Sequence, residues 1–312
     1  MKGLAVHWVC SVFVASAAWA GPFDATQPGF AELAAIPAND PRIRGWASGS
    51  VAAQTQRGPI DITDPTGPLA DFGTPASALG VADAIALDGF PSQDPTKVIS
   101  LGDGGFITLS FDVPIRNGSG PDFAVFENAF NDTFLELAFV EVSSNGSDFF
   151  RFPTVSLTPL TAQIDQTDPL HDKLDPTNLD GFAGKYRAGL GTPFDLQRLV
   201  GSGPLLDVDG IRFVRIRDVI GYIGGSVAAG TATQDSAQSY SYFGLNFAQN
   251  HLVNDPYLTD FSSGGFDLDA VAVLHFVPEP SVAGLLIGVL ASWAFRRDGG
   301  RSCQRALRPP SR

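Results

Sequence analysis

Carboxylates beside glycine turns and predicted strand ends are the residues of this sequence best suited to chemistry. Calcium takes about six to eight oxygen ligands from carboxylates, amide side chains and main-chain carbonyls. Such oxygens can converge where a strand meets a turn. The sequence therefore predicts a calcium site with these candidate ligands: Asp103, Glu127, Asn128, Asp218, Asp267 and Asp269. The alternative for each aspartate is that it caps its own turn.

Asp267 and Asp269 lie two residues apart in a predicted strand. Side chains alternate between the faces of a strand, so both carboxylates should share one face while Leu268 points inward. No EF-hand loop fits the sequence, because Leu179 falls where the segment 175–181 would need an oxygen ligand. The predicted ion is therefore held by strand ends, not by a single loop.

Aromatic side chains suggest a second kind of site, a platform for a sugar ring. Such a platform needs exposed rings beside amide and carboxylate groups. The candidates lie in segments predicted to be loops: Trp46, Tyr186, Tyr240, Tyr242 and Tyr257. The alternative is that these rings pin long loops to the domain. With only 5 tyrosines in 312 residues, a dense aromatic strip is not expected.

Catalytic motifs are missing from the sequence. It contains no Gly-x-Ser-x-Gly elbow, no paired-histidine zinc motif and no phosphate-binding loop followed by lysine. Glycoside hydrolysis needs only two carboxylates at a suitable separation, so Glu127, Glu136 and Glu141 keep a hydrolase open as an alternative. The sequence favours a non-catalytic carbohydrate- or matrix-binding protein. A structural surface protein without a ligand is the other alternative.

The elements that must position these residues are predicted to be strands. Alternating or β-branched and aromatic segments occur at 106–111, 122–126, 135–142, 149–152, 211–219 and 266–273. Asn145-Gly146 predicts a hairpin turn. The apolar face of the 211–219 strand switches between Phe213 and Val214, which predicts a bulge there. Strands without intervening amphipathic helices predict an all-β fold, an antiparallel, jelly-roll-like β-sandwich with long loops.

Two short helices are predicted among the loops. Thr74 and Pro75 provide a cap and a first-turn proline, and Gly80 follows. Thr192, Pro193 and Asp195 provide similar signals for a helix that ends before Gly201. The segment 21–100 reads as loops and short edge strands wrapped on the domain, with Trp46 as the anchor.

The N-terminal segment 1–20 has the pattern of a secretory signal peptide. Lys2, an apolar stretch and Ala18-Trp19-Ala20 before Gly21 supply its three parts.

Cys10 and Cys303 both lie outside 21–276, the segment predicted to form a single domain. That domain therefore contains no disulfide and no thiolate metal site.

The charge of the middle of the chain is strongly negative. Residues 21–280 contain 13 basic and 32 acidic residues, a net charge of −19. This balance argues against binding to nucleic acid or anionic lipid and is compatible with divalent cations. A simpler explanation of the same negative charge is that it keeps an exported protein soluble.

The C-terminal region combines a proline-rich breaker, an apolar run and basic residues. The apolar run 281–295 would span about 22 Å as a helix, slightly short for a bilayer. This order resembles the PEP-CTERM sorting signal, with the motif residues Val277, Pro278, Glu279, Pro280, Arg296 and Arg297. The resemblance implies export, a transient inner-membrane anchor at 277–297 with a basic tail at 298–312, and processing by signal peptidase and an exosortase. The joint at 277–281 is expected to protrude.

The body resembles a family of secreted bacterial cell-surface proteins of uncharacterised function. The resemblance lies in 100–105, 120–128, 139–143, 184–186 and 264–271, the last being Gly264-Gly265-Phe266-Asp267-Leu268-Asp269-Ala270-Val271. The final strand is also similar to that of jelly-roll carbohydrate-binding modules, where an aspartate helps to hold a structural calcium. Together these resemblances imply a cell-surface or matrix setting, with exopolysaccharide as a partner, and leave the oligomeric state open.

Overall fold

The computed structural model of the protein describes residues 21–23, 35–64, 66–85, 94–165, 174–224, 240–242, 245–247 and 252–277. The predicted signal helix at 1–20 and the predicted apolar helix and basic tail beyond Pro280 lie outside these ranges. Within the ranges, no helix has the length and apolar character needed to cross a membrane.

The described chain is all-β, and its strand pairings are antiparallel. The strands are, in chain order, β1 Ile36–Pro37, β2 Gly45–Trp46, β3 Gly49–Gln56, β4 Ile99–Ser100, β5 Phe106–Ile115, β6 Phe123–Glu127, β7 Ala138–Ser143, β8 Phe150–Arg151, β9 Val155–Ser156, β10 Leu179–Asp180, β11 Leu190–Phe194, β12 Ile211–Asp218, β13 Tyr240–Tyr242, β14 Leu245–Phe247 and β15 Asp267–Val273. The helices of the described residues are short 3-10 turns at Pro75–Ala78, Pro176–Asn178 and Leu196–Leu199.

Two large sheets carry most of these strands. The first has the order β1-β11-β6-β15-β2, with β4 also paired to β15. The second has the order β3-β5-β12-β7-β8. From β4 to β7 the chain passes from one sheet to the other at every strand, and neighbours within each sheet are therefore distant in sequence.

Side chains from one face of each sheet meet in the largest hydrophobic core. Phe123 and Val271 come from the first sheet, and Leu109, Val140 and Val214 come from the second. Burial of one such side chain contributes about 1.5–3 kcal/mol, so this shared core is the main force that holds the two sheets together.

The opposite face of the first sheet is covered by the N-terminal wrap, as predicted. Ile36 and Trp46 pack with Phe126 and Leu274 in a separate cluster. The Trp46 ring lies 5.6 Å from the Phe126 ring. Because the first sheet is covered on both faces, all seven residues of β15 are buried.

Three local predictions are confirmed. Thr74 stands at the N-cap of the 3-10 turn Pro75–Ala78, where its amide donates to the Ser77 hydroxyl at 3.1 Å. Gly146 has a φ of +78° in the turn that joins β7 to β8. Ile107 and Leu109 of the predicted half-buried strand point into the core, and that strand continues to Ile115.

Two local predictions are wrong in their details. Thr192 to Phe194 complete β11, so the predicted helix shrinks to the turn Leu196–Leu199, capped by Asp195. Pairing of this segment with β6 overrides its helix signals. The bulge predicted between Phe213 and Val214 is not found, because both residues pair in regular register with β5 and with β7. The register shift between β12 and β5 lies between Ile211 and Phe213, and its extra residues belong to β5.

Candidate metal centre

The ends of two neighbouring strands place acidic side chains around one pocket. β6 ends at Glu127, and its antiparallel neighbour β15 begins at Asp267, so both carboxylates lie at the same end of the first sheet. Asn128 follows Glu127 directly, and Glu136 precedes β7 by two residues. All four side chains line a pocket with a volume of about 220 Å³.

Two glycines allow the chain to close around this pocket. At Gly184, where φ is +79°, a Cβ atom would lie 1.8 Å from the main-chain oxygen of Glu136. At Gly265, where φ is +72°, a Cβ atom would lie 2.8 Å from an oxygen of Asp218. Both positions therefore require glycine, for backbone conformation and for space.

Glu127 is the most unusual side chain of the pocket. It is 1% exposed, and its Oε2 accepts a hydrogen bond from the Ala129 amide at 2.8 Å. Its Oε1 is buried and has no hydrogen-bond partner in the part of the chain that the structure describes. A buried oxygen without a partner destabilises a fold by about 1–3 kcal/mol. This oxygen therefore marks a place where a positive ligand would be stabilising.

The electrostatics of the pocket are those of several carboxylates held out of water. Burial raises the pKa of Asp267 to about 7, although its carboxylate accepts a hydrogen bond from the Ser100 hydroxyl. Burial, and after it the charge of Asp267, raise the pKa of Glu127 and of Glu136 well above the usual value for glutamate. Such a group of oxygens favours either shared protons or a cation.

The other three predicted calcium ligands serve the main chain instead. Asp218 accepts hydrogen bonds from the amides of Gly104 at 2.9 Å and Phe266 at 2.7 Å. Asp103 accepts bonds from the Ile62 amide and the Thr259 hydroxyl. Both aspartates thereby hold neighbouring loops in place.

Asp269 accepts hydrogen bonds from the amides of Asp83 and Ala84. Leu268 lies in the core, as predicted, but a register shift between Leu268 and Ala270 interrupts the regular strand at this point. Asp267 and Asp269 consequently bind different segments of the chain. Of the six predicted ligands, the structure brings Glu127, Asn128 and Asp267 together in the pocket.

The pocket has no complete coordination shell as it stands. In the described parts of the chain, no three histidine, cysteine, aspartate or glutamate side chains already form a group that could hold a metal ion. The donor set itself, carboxylates with an amide oxygen from Asn128, is of the hard oxygen type that calcium takes. The chemistry of the residues fits calcium, and the orphan Oε1 of Glu127 supports the same fit.

Sequence reasoning missed two features of this site. Asp255 is buried and accepts a hydrogen bond from the Leu137 amide through Oδ2 at 3.1 Å, and its Oδ1 has no partner among the described residues. Phe130 and Phe261 line the pocket and are 54% and 40% exposed. The sequence did contain a signal for these two phenylalanines, since each stands in a polar loop, beside Asn131-Asp132 or Ser262-Ser263.

The predicted aromatic platform does not form among the described side chains. Trp46 packs on Phe126, and Tyr186 is 3% exposed. The Tyr257 hydroxyl donates to Asp61 at 2.7 Å. Tyr240 and Tyr242 lie in β13, and their side chains fall outside the described part of the structure. The first three rings serve packing and loop attachment.

The residues proposed for catalysis are divided between two places. Glu127 and Glu136 line the same pocket, while Glu141 is paired with Arg151 and Arg215 elsewhere. His275 lies after β15 and contacts the buried Asp122 at 2.8 Å. His171 and His251 lie outside the described residues.

The last described residue, Val277, is also the first residue of the predicted sorting motif. The Val277 amide donates to the Pro114 carbonyl at 3.0 Å, so this first motif residue is attached to the domain and does not begin a free joint. Pro278, Glu279, Pro280, Arg296 and Arg297 lie outside the described residues.

No family model and no curated protein matches this chain.

Proposed function

We propose that this protein is an exported cell-surface or matrix protein whose body is a calcium-stabilised, non-catalytic carbohydrate-binding module. The orphan Oε1 of Glu127, buried in a pocket of three carboxylates, carries the calcium part of the proposal. A cation there would neutralise charges that burial otherwise leaves uncompensated. The Glu127, Glu136 and Asp267 carboxylates would hold it together with the amide oxygen of Asn128.

The strand orders support a jelly-roll-like β-sandwich as the fold. Eight strands in two sheets, with the orders β4-β15-β6-β11 and β5-β12-β7-β8, match that topology. The shared core between the sheets agrees with it. In this fold the calcium pocket lies at one end of the sandwich, where loops meet.

The carbohydrate part of the proposal is supported by the rim of the pocket. Phe130 and Phe261 expose rings beside the carboxylates, and Ser263 adds a hydroxyl group. A sugar could stack on these rings and bond to the polar groups between them. The rings of Trp46, Tyr186 and Tyr257 are engaged elsewhere, so we place the sugar at the phenylalanine rim.

Export and sorting by an exosortase rest on the two ends of the sequence, the signal-peptide pattern at 1–20 and the Pro-Glu-Pro segment with its apolar run and arginines. These features support delivery to the cell surface, with a transient anchor in the inner membrane. Because 21–276 contains no cysteine, a secreted body must be held together by its core or by bound ions in place of disulfides.

The calcium proposal is tested by thermal unfolding of the full-length protein with calcium and with a chelator. At 100 times its dissociation constant, calcium should add about 2.7 kcal/mol, which is roughly 5–10 °C in melting temperature for a domain of this size. The Glu127→Gln variant should lose most of that increase. Asp112→Asn, on the exposed surface, is the matched control and should retain it. Identical melting curves with calcium and chelator would contradict the proposal.

A second candidate function is a glycan hydrolase. One observation favours it: Glu127 and Glu136 share a pocket, and each carries a raised pKa, as a general acid requires. Release of reducing sugar from a polysaccharide panel, abolished by Glu136→Gln, would establish it. Retention of a polysaccharide without its cleavage would favour the binding module. Absence of both would leave a structural surface protein.

A further inference from the structure

An open groove of about 990 Å³ lies on the outer face of the second sheet, the face turned away from the shared core. Its charged lining residues are four arginines and two acids: Arg57, Arg151, Arg215, Arg217, Asp103 and Glu141. The Arg57 guanidinium donates to the main-chain carbonyls of Phe72 and Gly73. The positive charge that faces the groove therefore comes from the other three arginines, in a chain whose net charge is −13.

The register of the sheet places the groove side chains in two rows. In the first row, Arg215 of β12 lies opposite Thr108 of β5 and Glu141 of β7, and Glu141 lies opposite Arg151 of β8. In the second row, Arg217 lies between Phe106 and Phe139. Val214 and Ile216 alternate with the two β12 arginines and point into the core.

Aromatic rings fix the planes of the guanidinium groups. The Cζ atom of Arg215 lies 3.5 Å from the centre of the Phe149 ring. The corresponding distances are 4.4 Å for Arg217 over Phe106 and 4.2 Å for Arg151 over Phe139. A stacked guanidinium keeps its N–H groups in one plane and loses less freedom when it binds a planar anion.

The arginines of the rows differ in how far their charges are compensated. Glu141 accepts from Arg151 at 3.1 Å and from Arg215 at 3.4 Å, so its two oxygens are both engaged. Among the described residues, Arg217 makes one long hydrogen bond, 3.4 Å from Nη1 to the Gly104 carbonyl. Burial lowers the pKa of the Arg217 guanidinium. Within the described ranges its other N–H groups have no hydrogen-bond acceptor and can serve a ligand.

We propose that this groove binds the carboxylate groups of an acidic polysaccharide, with Arg217 as the principal contact. The inference rests on the proposed function in taking a glycan as the ligand, and it adds a second surface and a substrate class. A guanidinium fork matches a carboxylate with two parallel hydrogen bonds. The groove extends across neighbouring strands, as an extended polymer requires.

The charge of the whole chain selects among anionic polymers. A net charge of −13 repels dense polyanions such as nucleic acid. A polymer with one carboxylate on each sugar ring has a lower charge density, and its rings leave apolar faces for contact with the lining of the groove. The groove therefore favours a uronate polymer.

The test is calorimetric titration of the full-length protein with trigalacturonate and with its neutral methyl ester. The acid should bind at least about tenfold more tightly than the ester. Arg217→Gln should weaken binding of the acid by about tenfold, and Arg217→Lys should weaken it too, because lysine keeps the charge but lacks the planar fork. Arg212→Gln, an exposed arginine on the same strand, is the matched control and should leave binding unchanged.

Equal affinity for the acid and the ester would overturn the proposal that the groove binds carboxylates. The same holds if the Arg217→Gln variant keeps the wild-type melting temperature and binds the acid as tightly as the wild type. If the protein retains neutral polysaccharides but shows no preference for the acid, the proposal for the groove is rejected and the proposed carbohydrate-binding function is kept. If it retains no glycan of either kind, both fail. Titration with calcium and with chelator separates direct binding from bridging by calcium.

Discussion

The two polar regions of this protein, the pocket and the groove, differ in how far their charges are compensated by other side chains. At the end of the first sheet, Glu127, Glu136 and Asp267 gather carboxylates in a buried pocket and leave one oxygen without a partner. On the outer face of the second sheet, Arg215 and Arg151 share Glu141 and stack on rings. The pocket holds buried like charges, for which we propose a cation, whereas most charges of the groove are matched within the chain. The difference teaches that buried like charges indicate a ligand more strongly than a mixed network does.

The largest expected effect concerns Asp218, a buried carboxylate that holds two loop segments in place. Asp218→Ala leaves the amides of Gly104 and Phe266 without their acceptor. We expect a loss of about 2–5 kcal/mol in the free energy of unfolding, since each unsatisfied buried amide costs about 1–3 kcal/mol. Urea unfolding measures it, with the exposed Asp112→Ala as the control. A loss below about 1 kcal/mol would show that Asp218 is not a clamp.

A smaller effect is expected in the pH dependence of stability. Burial raises the pKa of Asp103 to about 6, and the negative charge of Asp61 acts in the same direction. The unfolded chain ionises this group near pH 4, so the folded state loses stability as the pH rises from about 4 to above 6. The upper limit is about 3 kcal/mol, at roughly 1.4 kcal/mol for each pKa unit.

Asp103→Asn tests that sign. The variant should gain stability relative to the wild type as the pH rises from 4 to 7.5, because the amide cannot ionise. Chemical unfolding at several pH values measures the difference between the two proteins, which cancels the other titrating groups. A difference that is flat across this range, or that falls with pH, contradicts the assignment.

The smallest pair of effects compares the two regions directly through the same substitution. In chelator at pH 8, Glu127→Gln should raise the free energy of unfolding by about 1–2 kcal/mol, because burial raises the pKa of the Glu127 carboxyl and so penalises its ionisation, whereas the amide cannot ionise. Glu141→Gln should lower it by about 1–2 kcal/mol, because it removes the partner of Arg151 and Arg215. Differential scanning calorimetry of both variants checks the two signs. Equal signs would remove the contrast between the regions.

Much of the fold was predictable because β5, β7 and β15 carry local signals. The Phe106–Phe111 alternation, the Asn145-Gly146 turn and the Thr74 cap each depend on neighbours in sequence, and all three predictions are confirmed. The helix predicted at 192–201 is wrong, because pairing of β11 with β6 involves residues about 70 positions away. Local propensity carries no information about such a partner.

The candidate site was only partly predictable for the same reason. Glu127, Asn128 and Asp267 were predicted ligands, and they do line one pocket. Asp103, Asp218 and Asp269 were predicted from the same residue types and turn contexts, but their oxygens accept bonds from main-chain amides. Only the loop packing distinguishes an aspartate that clamps from one that faces a cavity.

The sequence by itself determined the all-β class, the wrap around Trp46 and the acidic character of the body, because periodicity, turn residues and net charge are properties of short segments or of composition. The tertiary structure decided which carboxylates meet, which rings are exposed and where the arginines collect. Those outcomes depend on strand order and register, which bring β6 beside β15 and β12 between β5 and β7. Contacts between segments far apart in the chain arise only when the sheets are assembled, so no single stretch of sequence encodes them.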